Sequence, residues 1–244
     1  MPLPTAPAEH VERALCVLAH PDDVDFGSAG TVATWTSAGT EVTYCIVTDG
    51  DAGGFDETPR AEMGPLRQAE QRAAAKEVGV SDVRFLGHPD GRLELTLDLR
   101  RDIARVIRRV RPQRVLTSSP ERNWERIGAS HPDHMTVGES TLRAVYPDAR
   151  NPFAFPELLA DEGLAEWTVA EVWLSGSPRA DHAVDVTDVL DRKLAALRSH
   201  VSQVGHWPGN RLEEFLTGWM RRNARTHGLP ESRLAEVFHV VHTA

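Results

Sequence analysis

Residues 14–19, Ala-Leu-Cys-Val-Leu-Ala, form an unbroken apolar run that stops at His20-Pro21-Asp22-Asp23. An apolar run without alternation predicts a strand buried on both faces, as in a parallel sheet flanked by helices. Such a strand delivers the residues that follow it to one edge of the sheet. Two adjacent carboxylates and an imidazole are costly to place there unless a charged group, such as a metal ion, meets them.

The pattern then repeats. Residues 26–37 are helical in character and are stopped by Ser37-Ala38-Gly39-Thr40. A second strand over 42–48 ends in Asp49-Gly50-Asp51, a helix spans 62–77, and a third strand over 83–86 precedes Gly87-His88-Pro89-Asp90-Gly91. An amphipathic helix over 98–109 shows Ile103, Val106, Ile107 and Val110 on one side. A fourth strand over 114–118 leads through a polar loop, 119–130, to a helix beginning near His131–Asp133. This alternation predicts an α/β fold with βαβ units, a Rossmann-like, predominantly parallel sheet and helices on both faces. Further strands are expected over 167–174 and 184–186, and a helix over 189–200. The last portion, including 212–222, is expected to cover the sheet or build a subunit interface. Residues 1–12 are expected to form a flexible N-terminal arm and 13–244 a single domain, with 151–244 as a C-terminal elaboration.

The 41% hydrophobic content supports a substantial core, and a net charge of −9 argues against nonspecific polyanion binding. Arg105, Arg108, Arg109 and Arg111 crowd one helix end, where the helix dipole and solvent account for them. No nucleic-acid partner is expected. Cys16 and Cys45 lie in apolar strand runs and read as packed free thiols. The first residues lack a signal-peptide pattern and no run approaches membrane-spanning length. A cytoplasmic protein without stable membrane insertion is therefore expected.

Loops after parallel strands gather at one sheet edge, where open α/β folds bind their ligands. That edge receives His20, Asp22 and Asp23, then Asp49 and Asp51, then His88 and Asp90, and lastly His131, Asp133 and His134. His20 and Asp23 can face one ion across the Pro21 turn, with His134 as a distant third ligand. Two histidines and a carboxylate leave room for water on Zn2+, a hydrolytic arrangement; the same set could hold Fe2+ or another divalent metal. Asp22 is placed to take a proton from that water, or else orients a ligand histidine. His131 could stabilise an oxyanion as imidazolium or protonate a leaving amine. Asp133 could hold the tautomer of one of these histidines or satisfy backbone N–H groups at the helix start, and the second is expected. No dinucleotide or P-loop fingerprint occurs.

His20-Pro21-Asp22-Asp23 and His131-Pro132-Asp133-His134 together resemble the LmbE-like, or PIG-L, family of zinc-dependent N-acetylglucosamine deacetylases. The likeness continues through Asp49-Gly50, Arg67-Gln68-Ala69-Glu70, residues 85–91 and His200-Val201-Ser202-Gln203, covering about residues 13–205. The resemblance implies zinc held by His20, Asp23 and His134, with Asp22 as general base and His131 as oxyanion or acid-side partner. It implies that Asp90 supports the site, through His131. Arg67 and Glu70 fall on a family pair that acts as an ion pair or contacts substrate, and His200 belongs to the C-terminal motif. Val24 stands where the family often has glutamate, and Ala29-Gly30 where it has two glycines.

The implied function is removal of acetyl from an amino sugar or glycoconjugate. Alternatives are an amidase acting on a mycothiol-type conjugate and an inactive amino-sugar-binding protein. The family also acts on inositol-linked and malate-linked N-acetylglucosamine. Just before the second motif, Trp124 could stack on a sugar face and Asn123 or Arg126 could bond hydroxyls, and Trp207, His206, Asp51, Phe55 and Arg60 lie in other candidate rim loops. A homo-oligomer of unspecified size is expected.

Overall fold

The computed structural model describes residues 11–55 and 57–243. Most of the expected arm, residues 1–10, lies outside the described residues. Val11 and Glu12 are already docked, their carbonyls accepting from Thr40 Oγ1 and Glu41 N at 2.8 Å each.

The chain runs β1 (Arg13–Leu18), α1 (Asp23–Gly27), α2 (Ala29–Ser37), β2 (Glu41–Thr48), α3 (Arg60–Glu77), β3 (Asp82–His88), α4 (Leu97–Val110) and β4 (Arg114–Ser118). It continues through α5 (Pro132–Arg143), α6 (Pro156–Ala160), β5 (Glu171–Ser175), β6 (His182–Asp185), α7 (Leu190–Arg198), α8 (Val201–Val204), α9 (Arg211–Thr226) and β7 (Ala235–His242). The sheet order is β3-β2-β1-β4-β5-β7-β6. The first five strands are parallel, and β7 runs antiparallel to β5 and β6.

β1 lies at the centre and serves both faces. Ala14, Cys16 and Leu18 pack with residues of α2 and α3, whereas Leu15, Val17 and Ala19 pack with residues of α4 and α5. Burying each Leu or Val there stabilises the fold by about 1.5–3 kcal/mol. The chain winds outward from β1 in one direction and from β4 in the other, so the connections after these neighbours leave on opposite faces. A crevice opens between them at their C-terminal ends, the usual ligand position in such sheets.

α4 follows its amphipathic pattern, with Leu99, Ile103 and Ile107 buried, Thr96 capping Leu99 N, and Arg111 ending it at φ 54°. The arginines near its end have structural partners. Arg108 is buried and its Nη2 donates to the carbonyls of Asp148, Asn151 and Ala154, each at 2.9 Å. Arg105 and Arg109 pair with Glu162.

Three expectations change. β5 begins at Glu171, because Trp167 instead packs beside the core and donates Nε1 to Pro112 O at 2.7 Å. β7 had no counterpart in the sequence pattern, since Glu236, His239 and His242 interrupt its apolar residues. The helix expected over 26–37 is two helices, broken at Ser28.

A buried ion pair holds that break. Lys193 Nζ donates to Asp25 O and Phe26 O at 2.9 and 2.8 Å, at the carbonyl end of α1, and to Glu236 Oε1 at 2.7 Å. Glu236 accepts from Gly30 N and Thr31 N at 3.0 and 2.7 Å, at the amide end of α2. Each charge thus faces the helix end whose dipole it complements. Both side chains are fully buried. Lys193→Met would leave Glu236 as an unpaired buried charge, and the expected loss of unfolding free energy in urea titrations is about 3–5 kcal/mol.

Candidate metal centre and active site

β1 ends directly beneath the crevice. Pro21 turns the chain, and Asp22 then takes a left-handed conformation, φ 101° and ψ −22°. Such a conformation in a non-glycine residue costs about 1–3 kcal/mol and persists only where its surroundings enforce it. Here two side chains of α3 do so. Gln71 Oε1 accepts from Asp22 N at 2.8 Å, and Arg67 donates to Pro21 O at 2.6 Å and pairs with the Asp22 carboxylate at 3.2 Å. Arg67 also donates to Gly50 O at 2.9 Å. Gly50 has φ 66°, and a Cβ there would lie 2.6 Å from the guanidinium, so only glycine fits.

The second half comes from α5. His131 is its N-cap and Pro132 its first residue, a favoured start. His131 and His134, three apart, share one face of the first turn. α5 lies close over the end of β4: a Cβ on Gly138 would collide with Ser118 O.

These pieces converge. His20 Nδ1 lies 3.2 Å from His134 Nε2 and 3.4 Å from Asp23 Oδ2, and His134 Nε2 lies 3.0 Å from Asp23 Oδ1. Tetrahedral donors on zinc at ordinary bond lengths sit roughly 3.3 Å apart; each of these contacts is near that spacing, Asp23 meeting His20 through Oδ2 and His134 through Oδ1. Histidine and carboxylate donors also suit that ion chemically. Asp23 further accepts from His20 N at 2.8 Å, which locks the loop, so its role is not that of a simple helix cap.

The other nitrogen of His20 faces away. Its Nε2 is 3.0 Å from Asp90 Oδ1 and 3.3 Å from Asp133 Oδ2. Both carboxylates have further work: Asp90 accepts from Ala52 N at 3.1 Å, and Asp133 from Gly91 N and Leu93 N at 2.7 and 3.3 Å. They hold the His20 ring and its tautomer, a support common behind metal-bound imidazoles. Asp90 therefore acts on His20 rather than on His131, and Asp133 satisfies backbone of the loop after β3 rather than of its own helix.

The charges follow from these neighbours. Burial pushes Asp22 up to about 6, with Arg67 opposing and Asp23 reinforcing the rise. Burial also opposes ionisation of Asp23, yet His134 and His20 hold it well below the usual carboxylate range. His20 is raised to about 11 because Asp23 and Asp90 outweigh its burial, and His134 is raised by Asp23 in the same way. His131 shifts down, first through burial and then through the charges of His134 and His20. Its Nδ1 accepts from Asp133 N at 3.2 Å, so the neutral ring carries its proton on Nε2.

Other expected residues have different places. His200 is fully buried and bonds Asp25 Oδ2 at 2.8 Å, where Gln71 Nε2 also donates at 2.8 Å; it braces the catalytic loop from below. Arg67 and Glu70 do not serve each other, since Glu70 accepts from Ser202 N and Oγ at 2.8 and 2.6 Å. His88 turns outward to Asp102 at 3.2 Å. Asp49 accepts from Gln68, and Asp51 pairs with Arg60. His206 stacks on Phe55, and Trp207 on Phe215.

A cleft of about 550 Å³ opens above the trio, with Asp23 and His134 in its lining. Asn123 lines it, but Trp124 points away, 82% exposed beside Arg122. The aromatic wall is instead Phe215 and Trp219 of α9. These two were missed in the sequence, as were Gln71 and Asp25. Gln71 was legible in principle, four residues after Arg67 and thus on the same face of α3.

The chain is similar to several known proteins. The family model described as PIG-L, GlcNAc-PI de-N-acetylase, matches residues 15–145. Diacetylchitobiose deacetylase of Thermococcus kodakarensis is 33% identical over 81% of this chain and 72% of its own length. A 1D-myo-inositol 2-acetamido-2-deoxy-alpha-D-glucopyranoside deacetylase of Streptomyces avermitilis is 30% identical over 80% of this chain and 85% of that protein. The solved N,N'-diacetylchitobiose deacetylase of Pyrococcus horikoshii superposes with a TM-score of 0.86 at 28% identity, covering 95% of this chain and 84% of that one. With its two histidine–aspartate motifs brought to one centre, the chain belongs to the PIG-L family.

Proposed function

We propose that this protein is a zinc-dependent N-deacetylase that removes the acetyl group from an N-acetylglucosamine-type amino sugar or glycoconjugate. The observation that carries this is the division between two adjacent acids. Asp23 closes a three-donor set with His20 and His134, while Asp22, next in the chain, is withheld from that set by Arg67 and Gln71.

His20 Nδ1, Asp23 and His134 Nε2 would hold the ion. Zinc bound there supplies a Lewis acid that acidifies water and polarises the amide carbonyl. Asp22 accepts the proton of the attacking water as the oxygen adds to the acetamide carbon. Burial raises Asp22 to about 6, toward the range in which a carboxyl group can both take and return a proton. The Nε2–H of His131 donates to the developing oxyanion. As the C–N bond breaks, Asp22 returns the proton to the amine, and acetate and the free amino sugar leave. Arg67 keeps Asp22 aimed throughout. The unpaired, buried Cys16 and Cys45 suit a reducing, cytoplasmic setting. Among the described residues, no helix is long and apolar enough to cross a membrane.

Zinc-replete protein is expected to release equimolar acetate and primary amine from N-acetylated amino sugars, measured by enzymatic acetate assay and amine labelling. Amine release confined to bulky thiol conjugates would favour the amidase alternative instead. Asp22→Asn should keep the metal and lose about 10²–10⁴-fold in kcat. His134→Ala should lose the metal itself, read by metal analysis after gel filtration; equal metal loss in both variants would refute the division of labour. The raised His20 and His134 must shed protons for zinc to bind. Apparent zinc affinity, measured by chelator competition, should therefore weaken about tenfold per pH unit for each released proton as pH falls.

A further inference from the structure

α9 carries two stripes of large side chains. Leu212, Leu216 and Met220 are buried in the C-terminal core with Leu194 and Leu197 of α7. Phe215, Trp219 and Asn223 recur at every fourth residue on a neighbouring face, and all three line the cleft above Asp23 and His134. Phe215 stays 50% exposed although its ring packs on Trp207 with centroids 5.5 Å apart. The core makes no use of this aromatic surface.

The facing loop, residues 119–129, is polar. Asn123, Glu125 and Arg126 line the cleft from it. Asn123 Oδ1 accepts from Glu125 N and Arg126 N at 3.1 and 2.9 Å, which fixes the loop's shape. One wall is thus flat and carbon-rich, and the other presents an amide and two charges of opposite sign. A pyranose ring has the matching make-up, with a C–H face for aromatic contact and a rim of hydroxyls for hydrogen bonding.

We infer that Phe215 and Trp219 form a stacking platform for a second sugar ring attached to the N-acetylglucosaminyl unit, and so determine specificity. The inference rests on the deacetylase function proposed above, which places the acetamide at the floor of the cleft. A cleft of about 550 Å³ falls in the range that encloses a ligand larger than one acetamido sugar. Glu125 and Arg126 carry opposite charges, so these two lining residues give the polar wall no net positive charge for a dicarboxylate such as malate. A neutral ring fits both walls.

The test compares kcat/KM for N-acetylglucosamine, N,N'-diacetylchitobiose and N-acetylglucosaminyl malate, by amine release, in zinc-loaded wild type, Phe215→Ala, Trp219→Ala and Trp219→Phe. Wild type should prefer the disaccharide. The disaccharide-to-monosaccharide ratio should fall about tenfold in each alanine variant, through KM, with partial recovery in Trp219→Phe. Disaccharide titrated into Asp22→Asn should quench tryptophan fluorescence, and Trp219→Phe in that background should remove most of the quench. An unchanged ratio in both alanine variants would overturn the platform while leaving the deacetylase function standing. Preference for the malate conjugate would overturn it too. No amine release from any of the three would refute the deacetylase function, and the platform with it.

Discussion

Two imidazoles and a carboxylate crowd within 3.4 Å of one another, and two further carboxylates grip the far side of one ring. Carboxylates gathered where water is scarce are tolerable only with positive charge beside them, and both imidazoles are raised toward their charged form by these same acids. The surroundings are organised to hold the cluster. Arg67 and Gln71 fix the turn that carries the donors, Asp25 and His200 brace it from below, and Lys193 with Glu236 sets the angle at which the first two helices meet. The support thus reaches from the helix after β2 to the last strand, and the site is a property of the whole sheet rather than of one loop.

Asp22 and Asp23 show how neighbours in sequence acquire unlike chemistry. The left-handed backbone at Asp22 sends the two carboxylates in different directions. One meets a guanidinium in a buried niche and is raised to about 6, and the other meets two imidazoles and is held well below the usual range. Pairs of acids driven apart in this way divide proton transfer from charge stabilisation. The same logic explains Val24: buried in the apolar core on α1, it has no part in either task.

The parallel half of the sheet was legible because each strand from 14–19 to 114–118 announces itself as an apolar run ending in polar residues. The candidate donors were legible from local pattern too: His20 and Asp23 follow β1 directly, and His134 lies in the first turn of the helix after β4. What sequence could not show was partner choice. Asp90 reaches His20 and not His131, and Glu70 reaches Ser202 and not Arg67, because those pairings depend on how helices pack across a sheet. Local pattern was also blind to the break at Ser28, which is imposed by Lys193 and Glu236 from more than 150 residues away. β7 escaped because its most important residue is a buried glutamate, which by composition argues for the surface.

That glutamate has a bearing on how the molecule comes into being. The candidate donors His20, Asp23 and His134 all precede Glu236 in the chain, His134 by about a hundred residues. A chain synthesised only as far as β5 therefore carries all three side chains but lacks the clasp between α1 and α2. During synthesis the turn that bears Asp22 and Asp23 gains this long-range support only when β7 enters the sheet beside β5 and β6.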